Sequence, residues 1–140
     1  MILNVKMEDK SAEVMERFNQ CLLSFLEEGA AEIESAAIAN TPVGETEALK
    51  GGWDHQINMG KGEAVIGNDA EHAIWLERGT GEYAINGDGR KGGWAYTDAN
   101  GDTHFTYGNQ PHRMLENAWN EKIDGVMNTL LPAKFGVMNG

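Results

Sequence analysis

The stretch from Gly79 to Gly92 reads GTGEYAINGDGRKG, and Gly87, Gly89 and Gly92 within it form a G-x-G-x-x-G match. Such a motif cradles a pyrophosphate when a buried strand precedes it and a helix N-terminus follows it. Here only Tyr83 to Ile85 precede it, and the residues after it alternate between aromatic and polar types, as in a β-strand. The flanking sequence therefore argues against a dinucleotide site.

Other residues whose types suit chemistry also lack the required spacing. Asp98 to Asp102 begins like a calcium loop, but the glycine position holds Thr103 and the closing glutamate position holds Asn109. Glu77 has apolar neighbours but no partner for a general base, so an ion pair with a cation or a backbone cap is predicted. The histidines form no H-E-x-x-H motif or close pair, so neither a metal site nor a cofactor is predicted. They are His55, His72, His104 and His112.

Composition narrows the function further. The 140 residues, 41% hydrophobic and 24% charged, suit one globular domain over residues 1–140. The 22 acidic and 11 basic residues give a net charge of -11, which opposes tight nucleic-acid binding. The single cysteine, Cys21, excludes an intrachain disulfide and fits a reducing compartment. No apolar run approaches the roughly 20 residues of a membrane span, so a soluble protein made in a cytoplasm is predicted.

A long helix over Ser11 to Asn40 is the strongest structural signal, because apolar residues recur there at spacings of three and four. Pro42 is predicted to end the helix, and Gly29 to mark a bend or a close contact with another helix. The other face is acidic, with ten carboxylates and two cations between Glu8 and Glu47. Such a run is typical of a solvated helix face.

Two β-hairpins are predicted after this helix. From Gly52 the apolar and polar residues alternate, and the glycine-rich turn NMGKGE leads into a second strand at Ala64 to Ile66. In WAYTDANGDTHFTY, Asn100 and Gly101 predict a two-residue type I′ turn. This turn would place two aromatic pairs on one face, which we expect to be buried against helices or a neighbouring subunit. The pairs are Trp94 with Tyr107 and Tyr96 with Phe105.

The segments around the second hairpin complete the fold. Residues 70–80 fit either a helical turn or a strand. The glycine-rich loop 82–93 is predicted to be mobile, because glycine loses the most entropy on ordering and nothing between Asn86 and Gly92 can anchor the loop in a core. A C-terminal helix is predicted to begin at Asn109 and Pro111 and to end at Pro132, before a loose tail over 132–140. The predicted fold is α+β: a long N-terminal helix and a C-terminal helix packed on a small antiparallel sheet built from two β-hairpins, with the core at about 11–131.

Three segments then carry a resemblance to a known family: TPVGETEALKGGW, HAIWLERGTGEYA and GRKGGWAYTDANGDTHFTYGNQPHRML. Over about residues 11–130 the chain resembles the neck proteins of tailed bacteriophages, also called head-tail joining or tail-completion proteins. The most specific part is a glutamate followed by G-T-G and Tyr-Ala, then a basic glycine loop, a Trp-x-Tyr strand, a D-x-x-G turn and a Gln-Pro at a helix start.

The resemblance implies a structural virion protein, assembled in the host cytoplasm, with no catalytic activity. Copies would form a homo-oligomeric ring that joins head and tail around the DNA channel, touching duplex DNA passively and binding other phage neck and tail proteins. The candidate residues for the assembly interface are Glu77, Gly79, Thr80, Gly81, Tyr83, Arg90, Lys91 and Trp94.

Part of the acidic block is the candidate channel surface, because a carboxylate lining would let duplex DNA pass without binding its phosphates. These residues are Glu27, Glu28, Glu32 and Glu34. Two other functions stay open. One is an adaptor or chaperone of tail assembly that is absent from the mature particle, and the other is a small enzyme or ligand-binding domain with the Gly79–Gly92 loop as a lid over Glu77.

Overall fold

A computed structural model describes Asn4 and residues 8–42 and 47–136 of the chain. Helical segments make up the largest part of this structure. They are α1 (Ser11–Ala39), α2 (Glu47–Gly51), α3 (Ala73–Arg78), a 3₁₀ turn (Gly81–Tyr83), α4 (Met114–Gly125), a π-helical turn (Val126–Leu130) and α5 (Leu131–Phe135). No helix among the described residues is both long and apolar enough to cross a bilayer.

The strands form two antiparallel hairpins. The first pairs β1 (Trp53–Asn58) with β2 (Glu63–Asn68), and the second pairs β3 (Trp94–Thr97) with β4 (Thr103–Thr106). Each hairpin is a separate two-stranded sheet. The predicted α+β class, with its long N-terminal helix, C-terminal helix and two hairpins, is confirmed, and the ambiguous segment after the first hairpin is the short helix α3.

The core lies where the C-terminal half of α1 meets α2, α3 and the start of α4. Small side chains let the helices approach closely: Ala37 and Ala118 are fully buried, as are Leu49 and Met114 between the elements. Thr41 ties the end of α1 to the first hairpin, because its hydroxyl donates to the Ala37 carbonyl (2.9 Å) and accepts from the indole N–H of Trp53 (2.9 Å). The buried polar groups of this corner are thereby satisfied.

Gly29 makes the close helix contact predicted for it. A Cβ at this position would lie 3.2 Å from a methyl carbon of Val126, so glycine lets α1 approach the π-helical turn. The prediction that the C-terminal helix ends at Pro132 was wrong, because helical residues continue to Phe135. Pro132 lies in the first turn of α5, where proline is tolerated. Phe135 packs on the rings of Phe18 and Phe25, at 5.5 and 6.4 Å between centroids.

The predicted register of the second hairpin was wrong by one residue. The observed Cα partners are Trp94↔Thr106, Ala95↔Phe105, Tyr96↔His104 and Thr97↔Thr103. A three-residue loop replaces the predicted type I′ turn, since the Asp98 N–H donates to the Asp102 carbonyl (2.9 Å) and Gly101 is the one residue of the loop with positive φ (87°). The Asp98 carboxylate accepts from the N–H groups of Asn100 and Asp102 (2.9 Å each), which favours this wider turn.

The two predicted aromatic pairs do not form on one face of this hairpin. In the observed register Trp94 opposes Thr106 and Tyr96 opposes His104, so Trp94 and Tyr96 lie on the face opposite Phe105. Phe105 and Tyr107 contact each other edge to face at 5.3 Å, and 61% and 49% of their surfaces stay accessible. The predicted single aromatic face, buried against helices, is therefore wrong for the described chain, and burial of these side chains against a neighbouring subunit stays a prediction.

Candidate assembly site

Glu77, at the end of α3, caps helix α4. Its two carboxylate oxygens accept hydrogen bonds from the backbone N–H groups of Leu115 (2.9 Å) and Glu116 (3.0 Å). These are among the N–H groups that a helix leaves unpaired at its start, and a negative charge there also interacts favourably with the helix dipole. Of the two roles predicted for Glu77, the structure shows the backbone cap.

Helix α4 begins at Met114, later than the predicted start at Asn109 and Pro111. The residues before it are not helical, and their backbone is hydrogen-bonded to the chain around α3. The N–H of Thr80 donates to the Asn109 carbonyl (3.0 Å), and the N–H of His112 donates to the Leu76 carbonyl (2.8 Å). The segment after the second hairpin is thus fixed against the G-T-G motif.

The glycines of the G-T-G motif are required by this close approach. Gly81 has a φ of 61°, and a Cβ on it would lie 2.1 Å from the Tyr107 carbonyl oxygen. A Cβ on Gly108 would lie 2.0 Å from the Thr80 carbonyl oxygen. Since real Cβ contacts do not reach such distances, two backbone segments pass each other here with no room for a side chain. The motif is a structural junction between the two halves of the chain.

The glycine-rich loop folds back on the same junction. Gly89 lies so close to the Gly81 carbonyl that a Cβ would be 2.0 Å from its oxygen, and the Gly92 N–H donates to the Glu82 carboxylate (3.2 Å). The sequence offered no side chain that could anchor the tip of the loop in the core, and these contacts of the tip are made by its backbone instead. The mobility of the loop in solution stays a prediction.

An open cleft of about 620 Å³ lies between α3 and this loop. We call it the tryptophan cleft. Its walls include two indole rings, two guanidinium groups and two isoleucines, namely Trp75, Trp94, Arg78, Arg90, Ile74 and Ile85. The Arg90 guanidinium lies over the Trp94 ring, 5.4 Å from its centroid, in a cation–π arrangement. Apolar surface and positive charge are therefore combined in one concave site.

The structure brings together most of the predicted interface residues. Five of them line the tryptophan cleft: Gly79, Thr80, Gly81, Arg90 and Trp94. Glu77 lies beside the cleft and is occupied as the α4 cap, while Tyr83 and Lys91 are exposed outside its lining.

Sequence reasoning missed the exposed apolar residues of α3. Ile74 and Trp75 are 53% and 59% accessible, whereas Ala73 and Leu76 are buried. The run Ala73 to Leu76 was continuous in hydrophobicity, so its pattern did not show which side chains face outward. Helical spacing could have shown the outward side chains. Ala73 and Leu76 are three residues apart and share one face of a helix, so Ile74 and Trp75 between them lie on the other side.

On the other side of the molecule, His55 of β1 lies between two carboxylates of α1. Its Nδ1 is 2.5 Å from a Glu34 oxygen and its Nε2 is 3.0 Å from a Glu27 oxygen. Glu27 and Glu34 are two helical turns apart and share one face of α1. The hydrogen bonds to Glu27 and to Glu34 raise the pKa of His55 above its ordinary value of 6.5. Only the charged imidazolium can donate from both nitrogens at once.

Asp54 adds a third carboxylate, and donor atoms of Glu34, Asp54 and His55 all lie within 4.8 Å of one another. By distance alone these residues could hold a metal ion, although the sequence predicted no metal site. Asp54 and His55, however, are neighbours on a strand, so their side chains start from opposite faces. Both ring nitrogens of His55 already face carboxylates, which is the geometry of a charge-assisted hydrogen-bond cluster.

The four predicted channel carboxylates differ in their contacts within the described chain, and their place in a channel stays a prediction. Glu27 and Glu34 turn toward His55, and Glu28 pairs with Lys134 of α5 at 2.7 Å. Glu32 is exposed on α1.

One comparison with known proteins gives a match. Residues 6–79 match a family model described as "Bacteriophage HK97-gp10, putative tail-component". This range covers α1 to α3 and just over half of the chain, and it ends where the glycine-rich loop begins. Among curated proteins and among solved structures, nothing matches.

Fold and match together define the class as a phage protein of the neck and tail type. The chain belongs to the HK97-gp10-like family. The predicted resemblance is thereby confirmed at the level of the family. Its most specific motifs, the glycine loop and the second hairpin, lie mostly beyond the matched residues.

Proposed function

We propose that this protein is a structural subunit of the phage particle at the neck or the tail end. Copies form a ring around the DNA channel and contact other neck and tail proteins, after assembly in the host cytoplasm. The tryptophan cleft is the observation that carries this proposal, since exposed apolar patches on a small domain mark protein contacts. Family membership supports a role in the tail-type part of the particle.

Tryptophan and arginine are the residue types that most often dominate the binding energy of protein interfaces. Trp75 and Arg90 fit that description, because each presents a large planar group at the edge of a concave site. The glycine junction brings Trp75 of α3 and the start of the glycine-rich loop close together, so part of the cleft wall is fixed by backbone contacts before a partner arrives. Preorganised surfaces lose less entropy on binding than mobile ones.

The channel surface, in this proposal, is the exposed side of α1 around Glu32. Glu27, Glu28 and Glu34 pair with His55 or Lys134, so their replacement would also break contacts within the chain. Glu32→Lys is the cleaner test, with Glu63→Lys on the first hairpin as a control of equal charge change. We expect Glu32→Lys to slow genome ejection from assembled particles, while Glu63→Lys leaves the rate unchanged. Equal ejection rates in the two variants would refute the channel assignment.

The proposal as a whole is tested on purified virions. Quantitative mass spectrometry should find several copies of the protein per particle, and electron cryomicroscopy should locate them as a ring on the tail axis. An adaptor or chaperone of tail assembly would be present in infected cells but missing from the virion. That result would overturn the structural role and favour the adaptor.

A further inference from the structure

The N-terminal half of α1 extends beyond the core and is only partly covered by the other described residues, since Phe135 of α5 packs on Phe18. Every residue from Ser11 to Gln20 is exposed, including three large apolar side chains, Val14, Met15 and Phe18, which are 50%, 57% and 41% accessible. We call Ser11–Gln20 the free half of α1. An amphipathic helix with one uncovered apolar face is suited to lie in an apolar groove.

The free half and the tryptophan cleft lie at opposite ends of the molecule. Ala73 and Leu76 of α3, which forms one wall of the cleft, pack in the same buried cluster as Ala37 near the end of α1. Met15 lies 22 residues earlier on the same helix, roughly 33 Å along its axis. The free half therefore cannot reach the cleft of its own chain.

Charge favours contact between the two surfaces. Arg78 and Arg90 line the cleft against one carboxylate, Asp88. Within the part of the chain that the structure describes, neither guanidinium makes an ion pair. In the free half the two carboxylates, Glu13 and Glu16, outnumber the one cation, Arg17, so the segment is net acidic. Opposite charges around an apolar contact steer association and fix its register.

We propose that the tryptophan cleft of one copy receives the free half of α1 from a second copy. Val14, Met15 and Phe18 lie against Ile74 and Trp75, and Glu13 and Glu16 face the two guanidiniums. This contact joins two different surfaces, so it is heterologous and links copies head to tail. The inference rests on the proposed function and specifies how neighbouring subunits of the ring meet.

The test uses two variants at exposed positions, one on each surface. Met15→Arg places a cation on the free half, facing a cationic cleft, and Trp75→Glu places a carboxylate where the acidic helix docks. Val65→Glu is the control, because Val65 is 59% accessible on the first hairpin and belongs to neither surface. Circular dichroism and thermal unfolding should show that all three variants fold like the wild type.

Sedimentation velocity then measures association over a concentration series. We expect Met15→Arg and Trp75→Glu each to weaken self-association at least tenfold, which corresponds to 1.4 kcal/mol or more, with Val65→Glu unchanged. An equimolar mixture of the two defective variants should associate again. One pair of intact surfaces meets, and the two substitutions place opposite charges in the other pair.

Three results would overturn the inference. The two variants could associate like the wild type, which places the contact elsewhere and leaves the ring intact as a proposal. The mixture could stay monomeric although each variant is defective, which rules out this pairing of surfaces. The wild type could remain monomeric up to its solubility limit, which would show that the two surfaces do not bind each other in solution. None of these results decides whether the protein forms a ring in the virion, because imaging of particles tests that separately.

Discussion

Two carboxylates of this chain, Glu77 and Glu34, each join segments that are distant in sequence. Glu77 stabilises a helix start 38 residues further along, through two backbone N–H groups. Glu34 holds the imidazole of His55 and so fixes the first hairpin to α1. In both cases the charge is used to join distant segments, which is a structural use of residues that often serve catalysis.

Replacement of Glu77 by alanine should destabilise the fold. Two N–H groups at the start of α4 would lose their hydrogen-bond acceptor, and the helix dipole would lose the negative charge beside it. We expect the free energy of unfolding to fall by about 1 to 2 kcal/mol. Urea unfolding followed by circular dichroism measures the change. Glu71→Ala, an exposed carboxylate that neither caps α4 nor lines the cleft, is the control and should stay within about 0.5 kcal/mol of the wild type. Equal stability of both variants would show that the cap contributes nothing.

The His55 cluster makes stability depend on pH. Its folded pKa is raised by hydrogen bonds to Glu27 and Glu34, so the cluster contributes fully below pH 6.5 and loses its contribution as the pH rises through the folded pKa. We expect the free energy of unfolding to fall between pH 6 and pH 9 by more in the wild type than in His55→Gln. Comparison of the two proteins removes the common effect of the net charge.

His112→Gln provides a control for this experiment, because His112 is exposed and far from the α1 carboxylates. Its pH profile should follow that of the wild type. If His55→Gln and the wild type lose the same stability over this range, the imidazolium does not hold the hairpin.

At the scale of elements, the close approach of Gly81 to Tyr107 and of Gly108 to Thr80, the glycine junction, is needed for the two halves of the chain to pack together. Gly81 and Gly101 both have positive φ, at 61° and 87°, but a Cβ at Gly101 meets nothing within 4 Å. Gly101→Ala should therefore cost about 1 to 2 kcal/mol for backbone strain alone. Gly81→Ala adds a clash with the Tyr107 carbonyl and should lose more than about 4 kcal/mol.

Chemical denaturation of the two glycine variants separates strain from close approach. The expected order is wild type, then Gly101→Ala, then Gly81→Ala, with the last variant partly unfolded in buffer. Similar losses in both variants would mean that the chain can open the junction without penalty.

The elements themselves followed from periodicity, but their connections did not. The long helix and the first hairpin could be predicted from spacing and flanking residues. The register of the second hairpin could not, because the Asp98 carboxylate competes for backbone N–H groups and widens the turn. The continuation of the helix past Pro132 could not be predicted either, because Phe135 packs on α1 through a tertiary contact that the local sequence does not show.

Part of the candidate site was also visible in sequence. The G-T-G motif, Arg90 and Trp94 were singled out and line one cleft. The cluster around His55 was not, since Glu34 and His55 are 21 residues apart and only the hairpin geometry brings them together. Pairings of this kind depend on how elements pack, which local patterns do not encode.

For the whole molecule, the net charge of -11 predicts weak contact with nucleic acid. Purified protein should not retain duplex DNA on a filter even at low salt, where electrostatic attraction is strongest. The tryptophan cleft, with Arg78 and Arg90, is the region where a contact would begin. Retention that falls steeply with added salt, and disappears in Arg78→Glu, would contradict a passive role toward DNA.

The order in which the core residues occur along the chain has a consequence for biosynthesis. Ile33 and Ala37 of α1 are made early, whereas Met114 and Ala118, which cover them, come about 80 residues later. During synthesis the apolar face of α1 therefore stays exposed, and the core forms only when α4 has left the ribosome. Nascent fragments lack the capped helix and the closed junction, so only nearly finished chains have the complete tryptophan cleft.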